Sequence, residues 1–324
     1  MPGLGVDSWV SLVEESTYGT TPGSGESYLC MVSDTVKNER SVDPVSSLCG
    51  VSNYNTVLGG AKIGGDITFE MLYEGLLLFL KHGLGGYAYS ADTPVAGANT
   101  HAITLADELP TGLSFELCRG DTPTGDAFLY QGGKVDALDF QFDTGSIMRL
   151  VATMIAQSED PDATASGTPS YPDWYPVLWH EFNGTLTFCG ESITEFVGGN
   201  IKLENNLTRD RFLMHDTIRE PVRGDRRNVS GSIKLEYEDL GLYNKYIAGT
   251  TGAMSLTFSS SYYVTGSTPY SMNFSLPKVQ LLPAPTPNVS SAGVIELDVP
   301  FIGLHSGSSS DALSITFISG EATL

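Results

Sequence analysis

GDITFEMLYEGLLLFLKHGLGG, Gly65 to Gly86, recurs 166 residues later as GSIKLEYEDLGLYNKYIAGTTG, Gly231 to Gly252, without a gap. Seven pairs are identical: Gly65/Gly231, Ile67/Ile233, Glu70/Glu236, Gly75/Gly241, Leu76/Leu242, Gly83/Gly249 and Gly86/Gly252. Upstream, Ile63 faces Val229, and a shift of 165 sets Val36-Lys37 over Ile201-Lys202 and Glu39 over Glu204. Solenoid repeats have periods of about 20 to 50 residues. A separation this long predicts a duplicated domain.

The unit itself is readable. Ile67 and Phe69 alternate with Asp66, Thr68 and Glu70, and Ile233 and Leu235 alternate with Ser232, Lys234 and Glu236. That is the period of a half-buried strand. Then the period changes. Leu72, Leu76, Phe79 and Leu80 fall on one helical face, with Gly83 in the position of a C-cap. Leu240, Leu242, Tyr243, Tyr246 and Ile247 repeat the face, and Gly249 ends it. Each half is expected to hold a strand, a helix of about three turns at most and a glycine-rich exit.

The chain has 324 residues and a formal net charge of −21. That length suits two domains with cores of their own. The charge repels nucleic acid and anionic membranes within the screening length, and direct DNA binding needs a basic face. Only 17% of residues are charged, while Gly, Ser and Thr are plentiful, which suits many turns between strands. No apolar run approaches the roughly 20 residues of a membrane helix. Met1-Pro2-Gly3 leads into polar sequence without a leader pattern, so export is not expected. Cys30, Cys49, Cys118 and Cys189 have no metal or redox spacing and read as reduced, partly buried thiols. The sequons at Asn183, Asn206, Asn228, Asn273 and Asn288 are then chance matches.

In chain order, residues 1–26 read as an arm with an apolar patch at Trp9, Val10, Leu12 and Val13. A strand is expected over 28–37, a polar loop over 38–60, then the repeated unit and short strands at 102–105 and 113–117. Phe128 to Ile155 reads as a hairpin turning at Asp143-Thr144-Gly145. Residues 157–171 are polar, carry Pro161 and Pro169, and read as a linker. The expected domains are therefore 1–156 and 172–324. The second half replays the order. Strands are expected at 184–189, 197–204, 253–258, 271–276, 293–302 and 312–318, with a long loop at 205–228. Pro283, Pro285 and Pro287 exclude a helix there.

Little in the chain carries chemistry. There is no Gly-x-Ser-x-Gly, Walker loop, His-Glu-x-x-His or strand-linked Gly-x-Gly-x-x-Gly. His82, His101, His180, His215 and His305 are scattered singly and read as surface or interface residues. Glu159, Asp160 and Asp162 lack calcium-loop spacing and read as solvated linker. Asp136, Asp139 and Asp143 read as a solvent-facing strand edge rather than an acid/base pair. No catalytic residue, cofactor or metal is expected. The loop 205–228, NNLTRDRFLMHDTIREPVRGDRRN, differs. It holds six of the 17 basic residues, Arg209, Arg211, Arg219, Arg223, Arg226 and Arg227, beside apolar Phe212, Leu213 and Met214. Arginine suits bidentate pairing with carboxylates. In so acidic a chain the loop reads as a plug for an acidic partner, most simply another copy. The alternative is a solvated loop paired locally with Asp210, Asp216, Glu220 and Asp225.

Glu15-Ser16-Thr17-Tyr18-Gly19-Thr20 resembles the E-x-T-Y-G-T opening of tail tube proteins of tailed bacteriophages. Tyr130-Gln131-Gly132-Gly133-Lys134-Val135-Asp136-Ala137-Leu138 resembles their G-x-K-V-x-x-L hairpin, and Gly231-Ser232-Ile233 followed by a short helix is similar too. The C-terminal half departs from the pattern, since no Gly-Gly-Lys-Val stands near Val279 or Val294.

The resemblance implies a mainly β fold: two tandem β-sandwich or barrel domains, each with one flanking helix and one long loop reaching a neighbouring subunit. It implies a structural, non-enzymatic virion protein, assembled in the host cytoplasm with itself and other tail proteins. Its stacked rings would let DNA through an acidic lumen without specific binding. If one domain fills one sixth of a ring, a two-domain chain needs three copies, since head-to-tail contacts close whenever the rotation does. The alternative is six chains. Residues 157–171 span at most about 50 Å when extended, enough to join adjacent domains. The competing readings are a β-rich tail adhesion or decoration protein and, more remotely, a glycan hydrolase needing paired carboxylates.

Overall fold

In the computed structural model, Ile67 and Phe69 are fully buried and their polar neighbours face outward, as the alternation requires. The structure describes residues 4–324 except 24–26, 46–51, 53–54, 121–125, 165–168, 172–174, 179–180, 182–185, 284–292 and 308–310. Cys49, His180, Asn183, Pro285, Pro287 and Asn288 lie outside the described residues. The first half runs β1 (Trp9–Glu14), β2 (Ser27–Leu29), β3 (Ser33–Asp34), β4 (Lys37–Val45), β5 (Asn55–Glu70) and α1 (Leu77–Leu84). It continues through β6 (Gly85–Ser90), β7 (Asn99–Leu105), β8 (Leu113–Cys118), β9 (Asp126–Asp143), β10 (Arg149–Ala156) and β11 (Ser158–Thr164). The second half runs β12 (Leu186–Phe188), β13 (Glu191–Ile193), β14 (Phe196–Glu204), β15 (Asn228–Glu236) and α2 (Gly241–Ala248). It ends with β16 (Thr251–Thr265), β17 (Thr268–Leu281), β18 (Glu296–Gly303) and β19 (Ser314–Ser319).

The fold is mainly β. All pairings between these strands are antiparallel, and they join into one large sheet. The repeated stretches keep corresponding company. β5 lies between β4 and β10, with Ile67 opposite Ala152. β15 lies between β14 and β18, with Ile233 opposite Val299. Both strands end at the matched glutamates, Glu70 and Glu236, and both lead into a helix of 8 residues.

Two pairings between the described strands cross between the halves, beside isolated bridges from Leu72 to Pro176 and from Ile147 to Leu178. β9 pairs β14, from Ala137 opposite Glu204 to Asp143 opposite Gly198. β7 pairs β19, from Asn99 opposite Ser319 to Thr104 opposite Ser314. The core is continuous across this seam: the Phe140 and Phe274 rings meet edge-on at 5.0 Å. The chain's end is tied back as well. Gly75 N donates to Glu321 Oε2 at 3.0 Å, Gly320 N to Glu74 Oε1 at 2.9 Å, and Asn99 Nδ2 to the Glu321 carbonyl at 2.9 Å.

Several expectations need correction. Gly83 does not end α1; it lies inside the helix, which Gly85 caps at φ 104°. Gly83 is needed because a Cβ there would fall 2.4 Å from Leu138 Cδ1 on β9. Gly249 does cap α2, at φ 63°. Trp9–Glu14 is no arm but a buried strand between β2 and β8. Residues 38–45 and 55–60 are no loop: β4 and the start of β5 form a two-stranded ribbon. Its register needs no apolar alternation because both faces are wet. Ser158–Thr164, read as linker, pairs with the start of β9, a polar strand held by its backbone. His82 and His101 are buried, where desolvation lowers their pKa and favours the neutral ring. Cys118 and Cys189 are buried free thiols, as expected.

An alanine in a helix interior ordinarily gains about 1 kcal/mol over glycine. Gly83→Ala is expected to lose on the order of 1–3 kcal/mol instead, because Leu138 is fully buried and has no room to move. A higher urea midpoint for the variant than for the parent would sink this reading.

Two carboxylates set opposite pH dependences. Burial, aided by nearby Glu74, pushes Glu321 up to about 7. An acid raised in the folded state stabilises below its unfolded value of about 4 and loses that contribution as pH rises to 7. The His82 imidazole, 3.4 Å away, and the Lys81 ammonium, at 2.7 Å, hold Glu14 down to about 2. Its contribution is present above about 4 and lost as pH falls towards 2. Glu321→Gln is expected to flatten the urea midpoint between pH 5 and 8 relative to the parent, leaving the acid limb unchanged.

Candidate assembly surface

The motif carried by Glu15 to Thr20 folds around a buried carboxylate. Glu15 is 1% exposed and accepts bonds from Gly19 N at 2.7 Å, Gly132 N at 2.7 Å and Ser114 Oγ at 2.5 Å. Gly132 takes φ 64°, and the Tyr18 ring lies where its Cβ would point. Tyr18 also stands 5.7 Å from the Lys134 ammonium. The two motifs, far apart in sequence, therefore meet as one node. Lys134, 4% exposed, donates to the Pro110 carbonyl at 2.6 Å and pairs with Glu220 at 2.8 Å.

Glu220 belongs to the arginine-rich loop, and that loop lies over the seam. Arg209 pairs with Asp136 at 2.9 Å, and Asp136 also accepts from Leu207 N at 2.8 Å. Asp136 is thus no free strand edge. Asp139 likewise accepts from Asn200 Nδ2 at 2.9 Å across the seam. Arg223 donates to the Asp107 carbonyl at 2.8 Å, and Arg227 to the Ala106 carbonyl at 2.6 Å and to Asn205 Oδ1 at 3.1 Å. Burial and the neighbouring Arg223 bring Arg227 down to about 10. Asn205, fully buried, reaches from the second half to the Gly83 carbonyl at 2.8 Å and the Val135 carbonyl at 3.0 Å. Arg211 donates within the loop, to the Glu220 carbonyl at 2.9 Å. Phe212 covers Gly60 of β5, and Ala61 N donates to the Asp216 carbonyl at 2.9 Å.

The loop therefore binds the chain's own first half. Of the residues expected at a subunit contact, Arg209, Arg211, Phe212, Arg223 and Arg227 are engaged within the chain. Arg219 and Arg226 are exposed. Leu213 and Met214 stand at the tip, 54% and 103% exposed, with φ of 44° and 70°. Consecutive left-handed residues other than glycine are strained, and such strain gathers at binding sites. Lys134, Asn205 and Glu15 were missed as site residues. The matched glutamates Glu39 and Glu204, one residue before Arg40 and Asn205, mark the place from which the seam loop departs.

The hydrolase reading requires one carboxyl raised to act as an acid. The acidic pocket of about 240 Å³ beside α2 is lined by Glu191, Glu195, Glu236, Glu238 and Asp239. The Thr194 hydroxyl instead holds Glu195 below the ordinary carboxylate range. No cluster of metal-ligating side chains occurs among the described residues, and none of the described helices is long and apolar enough to cross a membrane.

The sequence profile of the phage tail tube protein family matches residues 5–303. The chain belongs to that family, whose members are structural parts of the virion tail. A search of curated proteins finds no match.

Glu15→Ala takes the carboxylate from two backbone amides and leaves the Ser114 hydroxyl only Thr21 as partner, and is expected to cost on the order of 3 kcal/mol in urea unfolding. Arg227→Ala is expected to cost about 1–3 kcal/mol for the same reason, while exposed Arg226→Ala stays within about 0.5 kcal/mol. Equal effects for the two arginines would show that burial at the seam does not distinguish them.

Proposed function

We propose that the chain is the repeating subunit of a phage tail tube, with two copies of one structural unit in residues 1–156 and 172–324. Three chains close a ring of pseudo-six-fold symmetry, and rings stack into a tube assembled in the host cytoplasm. The observation that carries the reading is the correspondence of the halves: β4, β5 and β10 in one, β14, β15 and β18 in the other, with the family match behind it. A chain that repeats its unit once supplies two of six positions. The net charge of −21 favours a lumen that repels phosphate, so that DNA slides through without adhering. The exposed tip Leu213-Met214 supplies contacts between copies, with Arg219 beside it and Arg226 exposed at the base of the loop.

Purified protein is expected to form tubes of uniform width above a threshold concentration, with three chains per ring by native mass. Six chains would refute the pseudo-hexamer, and protein that stays monomeric at every concentration would refute the tube. The double variant Leu213→Asp, Met214→Asp is expected to keep the monomer's urea midpoint within about 0.5 kcal/mol. It should raise the assembly threshold by tenfold or more, which corresponds to about 1.4 kcal/mol.

A further inference from the structure

β15 and β18 run antiparallel, and the two ends of the pair carry opposite charge. One end opens into a groove of about 690 Å³, within the range of about 300–1,000 Å³ usual for binding pockets. Leu105, Val229, Ile302 and Leu304 lie along it, and the arginine-rich loop lines it with Arg223, Arg226 and Arg227. None of these guanidiniums forms an ion pair with a carboxylate among the described residues. Arg223 and Arg227 direct their donors to carbonyls and to Asn205, and the Arg226 guanidinium bonds no described residue. Asp225 and Asp107 share the groove, but Asp225 accepts from the Arg226 backbone N, at 2.6 Å. Burial and then the like charge of Arg223 bring Arg227 down to about 10, with Asp107 opposing the shift. The groove is thus positive in a chain of net charge −21.

The other end of the pair lies about 26 Å away along the nine residues of β15, at roughly 3.3 Å per residue. There Glu236 faces Glu296 directly, and like charges so placed repel. Glu238, Asp239 and Leu240 follow, all exposed, Leu240 at 50%. The Glu236 and Glu238 carboxylates bond no described residue. The matched residues of the first half are Leu72, Tyr73 and Glu74. The chain uses those itself: Leu72 and Tyr73 are buried, and Glu74 accepts from Gly320 N at 2.9 Å. The second half leaves the same three positions open.

We propose that the arginine groove of one copy receives Glu238-Asp239-Leu240 of a second copy, the carboxylates on Arg223, Arg226 and Arg227 and Leu240 on the apolar floor. This rests on the tube reading above and names a contact by which copies stack. Carboxylate and guanidinium form strong charge-assisted bonds. The two surfaces are unlike and lie at opposite ends of one strand pair. Each copy therefore offers one of each, and the contact repeats head to tail without being used up.

The test is a charge exchange in the full chain. Arg226 and Glu238 are both exposed, so R226E and E238R are expected to keep the parent's urea midpoint. Each alone sets like charges face to face and should raise the assembly threshold about tenfold or more. The double variant R226E/E238R restores an opposite pair and should return to within about threefold of the parent. Added salt should raise the parent's threshold, because the contact is ionic and open to solvent. If both single variants assemble as the parent does, the groove contact is overturned and the tube reading stands. Impairment by R226E without impairment by E238R gives the groove to a different acidic segment and overturns the pairing. A double variant no better than the singles overturns it too. A parent chain that never assembles removes both readings.

Discussion

A single buried carboxylate, Glu15, organises the joint on which the molecule depends. A charge taken out of water costs several kcal/mol unless its hydrogen bonds are remade. Glu15 remakes them with two backbone amides and a hydroxyl drawn from three separate segments. That fixes the turn after β1, Gly132 within β9 and the start of β8 relative to one another. Lys134 stands two residues beyond Gly132, so the same constraint places its ammonium where it meets Glu220 of the second half. The order in which halves are joined thus begins at a residue deep in the first.

The seam then shows why arginine appears in so acidic a chain. Arg209 pairs with a carboxylate, but Arg223 and Arg227 bond the carbonyls of Ala106 and Asp107. Those carbonyls follow β7 beside the end of α1, where Ala106 N donates to the Leu84 carbonyl at 2.9 Å. A planar guanidinium with five donors bridges several such oxygens from one stem, which a lysine ammonium on a flexible chain does less well. The loop therefore acts as a strap across the junction, and its charge is consumed locally except at its outer face.

The strand-helix unit was legible because burial on one side imposes a period, and both copies obey it. The hairpin turning at Asp143-Thr144-Gly145 was legible for the same reason. The ribbon of β4 and β5 was not, since neither face is buried and backbone pairing leaves no hydrophobic trace. β11 was missed likewise. The helix end at Gly85 was misplaced because Gly83 carries the same residue type for another cause, close approach to Leu138. The sequence singled out the loop 205–228, but composition cannot tell whether an arginine's acceptor lies in its own chain. Glu15 and Lys134 stood inside motifs, yet the bond from Gly132 to Glu15 and the approach of Lys134 to Tyr18, each across more than a hundred residues, are products of topology alone.

The two helices carry the last step. α1 is apolar almost all round and lies buried, whereas α2 buries only Leu242 and leaves Ile247 exposed at 65%. A helix hydrophobic on every side is stable only when covered on every side. α1 is covered by β1, β6, β7 and β9 of its own half, and Asn205 of the second half bonds its Gly83 carbonyl. α2 packs against β17 and bonds the Cys189 carbonyl and Glu191 through Lys245, and its sequence has Lys245, Asn244 and Tyr243 at positions where α1 has Phe79, Leu78 and Leu77. The difference between the helices thus follows from how much apolar surface each half lays over its own helix, and the polar side chains of α2 match its lighter cover.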